Sequence, residues 1–546
     1  MPRPVNVPRR ILERRPIAAV STLSPTSIMR RAVAAQLGSL LTLLVAASPL
    51  VAQATTAAQV RELDTFIAKG VRDWQIPGLT VSIVRNDSVL FAKGYGVRRL
   101  GAAGAVDAQT QFGIMSTTKA FTALAMALLV DEGKLAWNDP ITKHLPEFQF
   151  SDPFLTREAT VKDLLTHNIG IGNADLMWVR GDLSATEILR RVRFLPASYS
   201  LRGGFAYQNV MYGAAGELVG RVSGMRWSDF VRTRILQPLG MTNTYTTYAE
   251  MHAASGANQS EPHFRIRDTI RVIADETVDV LPAAGSIWSN ATDMAKWLRF
   301  LLDSGRVDGK RIVSEAGFRE WLKPQSFVTA SEFYPTARVT KPHWMTYGLG
   351  WFQQDFRGRF LAFHTGSLAG RTAMVGLLPD ARTGIFIAGN LDHAEFRHAL
   401  MLQAMDIAAG TNGQAKRDWS AEFLMLYKGL DADGQKRVVE MESSRVQGTT
   451  PSHPLASYAG TYAHPAWGDV TVTVEGNALR FALGPGADMT GIMQHWQYDT
   501  FRGELGDGRG GKSLVVFQLD VAGAVSHLLF EGSEAYTFTR RAGSGR

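Results

Sequence analysis

The chain has 546 residues, 45% hydrophobic and 20% charged. That is longer than the roughly 250 to 300 residues one hydrophobic core supports, so at least two folded units of ordinary globular composition are expected. The net charge of +8 does not indicate a nucleic-acid partner, because seven arginines and one glutamate fall in residues 1–54 and the rest carries 51 basic against 49 acidic residues. The lack of cysteine excludes disulfides, thiol catalysis and zinc–cysteine sites.

In chain order, Arg30-Arg31 precede an apolar stretch from Ala32 to Val51, and Ala52-Gln53-Ala54 offers a small-x-small cleavage site. This predicts an export signal cleaved after Ala54, with Met1 or Met29 as the start and a periplasmic or secreted product. An uncleaved anchor is the competing reading, weakened by Gln36, Gly38 and Pro49; no later stretch is apolar enough to span a bilayer. Residues 58–73 place Val60, Leu63, Phe66, Ile67 and Val71 on one helical side. Residues 79–97, "LTVSIVRNDSVLFAKGYGV", read as a hairpin turning at Arg85-Asn86-Asp87-Ser88.

"GIMSTTKAFTALAMALLVDEG", residues 113–133, puts Ser116 and Lys119 one turn apart at the head of an apolar helix that Gly133 ends. A desolvated lysine there has its pKa lowered and can act as a base on the hydroxyl. The N-H groups at the helix start, including that of Ser116, can stabilise an oxyanion.

Residues 120–300 read as helix and loop, with helices over Thr186–Val192 and Asp293–Leu302. Strand patterns return over 347–390, and 394–408 reads as a helix. Strands at both ends predict one sheet built from the two ends of a domain, with a helical region inserted between them. Residues 411–454 turn polar, with one amphipathic segment (Phe423 to Tyr427, then Arg437 to Met441), and read as a linker, and short alternating strands over 455–540 predict a small all-β barrel or sandwich.

Gly506–Ser513, "GDGRGGKS", satisfies both phosphate-loop patterns. The alternating Leu514-Val515-Val516-Phe517 that follows is a strand rather than the required helix, so a hairpin loop is expected and nucleotide binding is not. The twelve histidines are scattered, with no metal-ligand spacing.

Two further motifs join the S-x-x-K. Tyr207-Gln208-Asn209 lies in "GGFAYQNVMYGAAGELVGRVSG", and His364-Thr365-Gly366 lies in "FHTGSLAG" at the end of a strand. In this order and at these separations, with "LLTHNIGIG" and "LPAAGSIWSNATDMAKWL" in support, residues 58–410 resemble the serine β-lactamase superfamily of class C β-lactamases, D-alanyl-D-alanine carboxypeptidases, D-aminopeptidases and esterases.

The resemblance implies an α+β fold, an antiparallel sheet flanked by helices with an inserted helical region, over residues 55–410. Residues 455–546 resemble the small β-barrel appendage of some exported members. For the site it implies Ser116 as the nucleophile of an acyl-enzyme, Lys119 and Tyr207 sharing proton transfer with the base unassigned, and Asn209 orienting Lys119 or substrate. It also implies an oxyanion hole from the N-H groups of Ser116 and Ser367, and Thr365 and Gly366 at the substrate, with no cofactor or metal. Arg371, seven positions after His364, is a candidate partner for a substrate carboxylate, with a surface role as the competing reading.

His364 departs from the K-T-G of antibiotic-hydrolysing members, since a histidine of ordinary pKa is mostly neutral at pH 7 and cannot replace a permanent cation. The expected activity is therefore hydrolysis of an ester or of a small, D-amino-acid or peptidoglycan-derived amide. The alternatives are a weak β-lactamase or a peptidoglycan- or β-lactam-binding module with little turnover. Met177, Trp178, Phe333 and Tyr334 are candidates for an apolar rim. Membrane contact is expected only through the export signal, and the oligomeric state is open.

Overall fold

In the computed structural model, residues 57–543 are described except 257, 411–414, 487 and 488, so the predicted export segment lies outside the described residues. Strands β1 (Gly78–Arg85) and β2 (Ser88–Gly96) form the predicted hairpin, turning on Asn86 and Asp87 at φ of 49° and 71°. A two-residue turn with both φ values positive matches the twist of the strands it joins, and these two residue types tolerate that conformation.

Strands β3 (Ser326–Phe327), β4 (Met345–Tyr347), β5 (Phe352–Phe356), β6 (Arg359–Leu368), β7 (Arg371–Leu378) and β8 (Thr383–Gly389) complete an eight-stranded sheet in the order β2-β1-β8-β7-β6-β5-β4-β3. β1 pairs antiparallel with β8, Leu79 opposite Gly389, so the two ends of the domain meet inside one sheet as expected.

Period-two alternation divides two cores. Leu79, Val81 and Ile83 of β1, with Ile385 and Ile387 of β8, face a layer that includes α1 (residues 57–73) and α5 (Phe396–Ala409). Phe386 and Ala388 face the inserted region, with α2 (Thr118–Asp131), α3 (Asn209–Ser223) and α4 (Ala291–Leu302). All eight residues of β7 are buried because both faces are covered. α2 is buried all round from Thr118 to Leu129, which the sequence prepares by making it apolar on every side.

The stretch read as a linker contains a 25-residue helix, α6 (Trp419–Ser443). Asp418 caps it, and Trp419 and Phe423 anchor it against the domain, the Trp419 indole N-H donating to Asp406 Oδ2 at 2.7 Å. Beyond it, β9 (Gly460–His464), β10 (Gly468–Glu475), β11 (Ala478–Ala482), β12 (Thr490–Gln497), β13 (Thr500–Leu505), β14 (Lys512–Leu519), β15 (Val525–Phe530) and β16 (Thr537–Arg540) form a barrel. It closes where Tyr462 pairs with Arg540. The glycine-rich segment turns between antiparallel β13 and β14, with Gly506, Gly508 and Gly511 at positive φ, so it lacks the helix of a phosphate loop. No described helix is long and apolar enough to cross a membrane.

Candidate active site

Ser116 sits in a short turn, Met115–Thr117, that leads into α2. Met115 adopts a left-handed conformation (φ 47°), rare for a bulky residue, and this kink sets Ser116 half-exposed at the head of an otherwise buried helix. Lys119, one turn later, is fully buried. Its Nζ lies 3.0 Å from Ser116 Oγ, 2.7 Å from Asn209 Oδ1 and 2.8 Å from the Ala284 carbonyl.

Those three neighbours differ in what they can do. The Ala284 carbonyl and Asn209 Oδ1 only accept, so a neutral amine gives them its two N-H groups and turns its lone pair toward the Ser116 hydroxyl, which can donate. Burial lowers the Lys119 pKa to about 7, against a smaller opposing pull from Asp175. The amine is therefore substantially neutral at physiological pH and aimed at the Ser116 hydroxyl.

Asp175 is a site residue that the sequence reading did not single out. Its carboxylate accepts both contacts of the Asn209 amide nitrogen, each at 3.0 Å, which fixes Asn209 Oδ1 toward Lys119. It also accepts from the Trp178 indole at 2.9 Å.

Tyr207 immediately precedes Gln208, the N-cap of α3. Burial holds its pKa well above 10, against a smaller lowering influence of the Ser116 side chain, so it stays protonated. The Lys119 ammonium position lies 4.8 Å from its ring centroid, and His167 backs the ring at 4.3 Å.

The strand carrying His364-Thr365-Gly366 closes the other side. A Cβ on Gly366 would lie 2.5 Å from the Ile114 carbonyl and 3.1 Å from Ser116 N. Only glycine lets β6 run this close, and that brings Ser367 to the cleft beside Ser116. Ser367 is held from below by Arg397, whose Nη1 donates to its Oγ at 2.9 Å and to the Gly366 carbonyl at 2.6 Å. Arg397 and Glu395 form a buried pair at 3.0 Å that the sequence reading also missed.

The other expected residues stand back from the nucleophile. His364 is buried, with Nδ1 2.6 Å from the Thr365 carbonyl and Nε2 2.9 Å from the Tyr347 hydroxyl. The carbonyl requires a proton on Nδ1, so Nε2 accepts from Tyr347. Burial, reinforced by Lys119, lowers its pKa to about 3 and keeps it neutral. Among the described residues it makes no hydrogen bond to Ser116 or Lys119. Thr365 Oγ1 pairs with the Tyr334 hydroxyl at 2.5 Å.

Arg371 corrects the expectation of a substrate contact. It is 1% exposed, ion-paired with Asp275 and stacked 4.8 Å over Trp288. Of the four rim candidates only Trp178 lines the cleft; Met177 is buried, and Tyr334 is turned inward to Thr365. The cleft is bounded by Ser116, Trp178, Asn209, Val278, Ser367 and Leu368 among others, has no charged lining residue, and encloses about 30 Å³. That holds a water beside the nucleophile but not a whole substrate.

Residues 63–409 match the family model described as Beta-lactamase, and residues 444–543 match one described as a domain of unknown function, DUF3471. The chain is 26% identical over 451 residues to unguisins hydrolase ungD of Aspergillus violaceofuscus, covering 76% of each chain. It is 26% identical over 351 residues to protein flp of Staphylococcus aureus, covering 61% of this chain and 63% of flp. The octameric penicillin-binding protein homologue from Pyrococcus abyssi shares the fold at a TM-score of 0.56 and 21% identity, over 88% of this chain and all of that one.

Proposed function

Given that the chain belongs to the Beta-lactamase family, whose members are serine hydrolases, we propose that it is an exported hydrolase cleaving an ester or small amide through a Ser116 acyl-enzyme. The observation that carries this reading is the Lys119 amine, 3.0 Å from Ser116 Oγ and with its pKa lowered to about 7.

In this reading Ser116 Oγ attacks the carbonyl carbon as its proton passes to neutral Lys119. The oxyanion sits between the N-H groups of Ser116 and Ser367. Tyr207, protonated and beside Ser116, relays the proton taken up by Lys119 to the leaving group as the tetrahedral species collapses, which returns Lys119 to its neutral form. Water then attacks the acyl-enzyme and the same groups work in reverse.

An uncharged cleft wall, a neutral His364 and a committed Arg371 leave no permanent cation there for a substrate carboxylate among the described residues. This favours neutral acyl esters and amides, D-amino-acid amides included, over β-lactams and peptides ending in a free carboxylate. The relative named a hydrolase supports turnover rather than binding alone. Export rests on Arg30-Arg31, the apolar run and Ala52-Gln53-Ala54.

Exposure to a serine-reactive phosphonate, read by intact mass and peptide mapping, tests the reading. A single adduct on Ser116, absent in Lys119→Ala, is expected. A folded protein that takes no adduct would remove the hydrolase assignment.

A further inference from the structure

A groove of about 730 Å³ lies on the barrel where the end of α6 and the segment after it cross β12 and β13, and it shares no lining residue with the Ser116 cleft. Four permanent cations line it, Arg445, Arg480, Arg502 and Lys512, against two carboxylates, Glu442 and Glu504. Those carboxylates are engaged: Glu442 with Arg502, and Glu504 with Arg267 at 3.6 Å. Arg480 pairs with Glu475, whereas neither Arg445 nor Lys512 has a carboxylate partner among the described residues.

Two of the cations are fixed in place. The Arg445 and Arg502 guanidiniums stack on Trp496, 5.0 and 4.5 Å from its ring centroid. Arg445 donates Nε to the Trp496 carbonyl at 2.6 Å and Nη2 to the His495 carbonyl at 3.3 Å. Arg502 has a side chain only 4% exposed, held by Glu442, and its Nε lacks any acceptor. Stacking holds a guanidinium's plane and leaves its N-H edge for oxyanions. Gathering like charges around one groove, one of them buried and short of acceptors, has a standing cost that a bound anion offsets.

We propose that this groove is a binding site for a phosphate ester carrying more than one negative charge. Guanidiniums with fixed edges suit tetrahedral and planar oxyanions, Lys512 adds a mobile point charge, and the volume falls in the range of small-molecule pockets rather than of a single ion. Lys512 is thus assigned to phosphate after all, by a route unrelated to the phosphate-loop fold that its sequence context imitates.

Titration calorimetry of the full chain with pyrophosphate at low ionic strength, with citrate as the carboxylate control, tests the site. One saturable pyrophosphate site is expected, weakened about tenfold in Arg445→Gln and in Lys512→Gln while ester turnover at Ser116 is unchanged. Co-sedimentation with vesicles containing phosphatidic acid, a phosphomonoester, compared with pure phosphatidylcholine, separates the sources. Variant-sensitive sedimentation identifies a lipid phosphomonoester, and pyrophosphate binding without sedimentation identifies a soluble ester. Binding of neither probe, pyrophosphate affinity unchanged from the parent chain in both variants, or citrate binding as tightly as pyrophosphate would overturn the proposal.

Discussion

Lys119 is held by groups that contribute in opposite directions, so its chemistry can be tuned by substitution. Burial lowers its pKa and Asp175 raises it, giving about 7. In the proposed mechanism the free base is the working form, so kcat/KM should rise with pH through about 7 and then level off. Asp175→Asn removes the carboxylate that favours the ammonium, so the acidic limb should move to lower pH; a limb that stays put or moves up means Lys119 does not set it. The same pKa carries a stability consequence. Between about 7 and 10.5 the unfolded lysine is protonated and the folded one is not, so stability should increase with pH across that window, and the slope should vanish in Lys119→Met. Urea titrations at several pH values would read it directly. Gly366 is a test of geometry rather than charge. In Gly366→Ala the new Cβ meets the Ile114 carbonyl at 2.5 Å, so β6 or the Ser116 turn must move. A stability cost of about 1–3 kcal/mol and a loss in kcat of roughly a hundredfold are expected, from denaturation and steady-state kinetics on one preparation.

At the level of elements, the site is the meeting of α2, the start of α3 and the end of β6, supported from below by α5. Arg397, near the start of α5, grips both Gly366 and Ser367, so it fixes the β6 edge that faces Ser116. Arg397→Met strands the buried Glu395 and should cost about 3–5 kcal/mol, whereas Arg397→Lys should keep the fold and lower kcat more than it raises KM. Equal loss in kcat and KM would mean that the pair merely packs. These contacts also show what a sequence discloses. Ser116 with Lys119, Tyr207 with Asn209, and the His364-Thr365-Gly366 run are each short motifs within four residues, so a resemblance carried by motifs discloses them. Asp175 reaches Asn209 across 34 residues, and Arg397 reaches Ser367 across 30, through a fold that must exist first. The hairpin and the sheet built from the chain's two ends were readable because alternation and turn residues are local signals. α6 was not, because only Trp419, Ser420 and Phe423 are buried, while apolar Met425, Val438 and Val439 are exposed, so its apolar residues mark no continuous buried face. Arg371 misled for the opposite reason: its proximity to His364 in sequence says nothing of the Asp275 that claims its charge.

Across the whole molecule, the barrel is fastened to both walls of the catalytic cleft. On one side Arg180, 5% exposed, donates to the Asp469 carbonyl at 3.0 Å while held by Asp182, and Arg191 reaches the Ala466 carbonyl at 3.4 Å. Gly484 keeps this seam tight, since a Cβ there would lie 2.8 Å from the Arg180 carbonyl. Between Asp175 and Arg180 runs a single helical turn, Leu176–Val179, carrying the cleft residue Trp178. On the other side Arg509, in the glycine-rich turn, pairs with Glu276 at 2.7 Å, two residues from the cleft residue Val278. Both walls are thus anchored to one closed barrel, an arrangement that opposes their parting around an acyl group. Arg180→Ala frees one wall and leaves the Asp469 carbonyl without its charged donor, at about 1–3 kcal/mol of stability. Its effect on catalysis should depend on substrate size. Nitrophenyl acetate, small enough for the closed cleft, should be turned over nearly as before. Esters of longer acyl groups should gain several-fold in kcat/KM, because parting the walls no longer strains the seam. If the ratio of long-chain to short-chain kcat/KM is unchanged while the protein remains folded, the barrel is attached to the cleft walls without governing their spacing, and acyl size must be set by Trp178, Val278 and Leu368 alone.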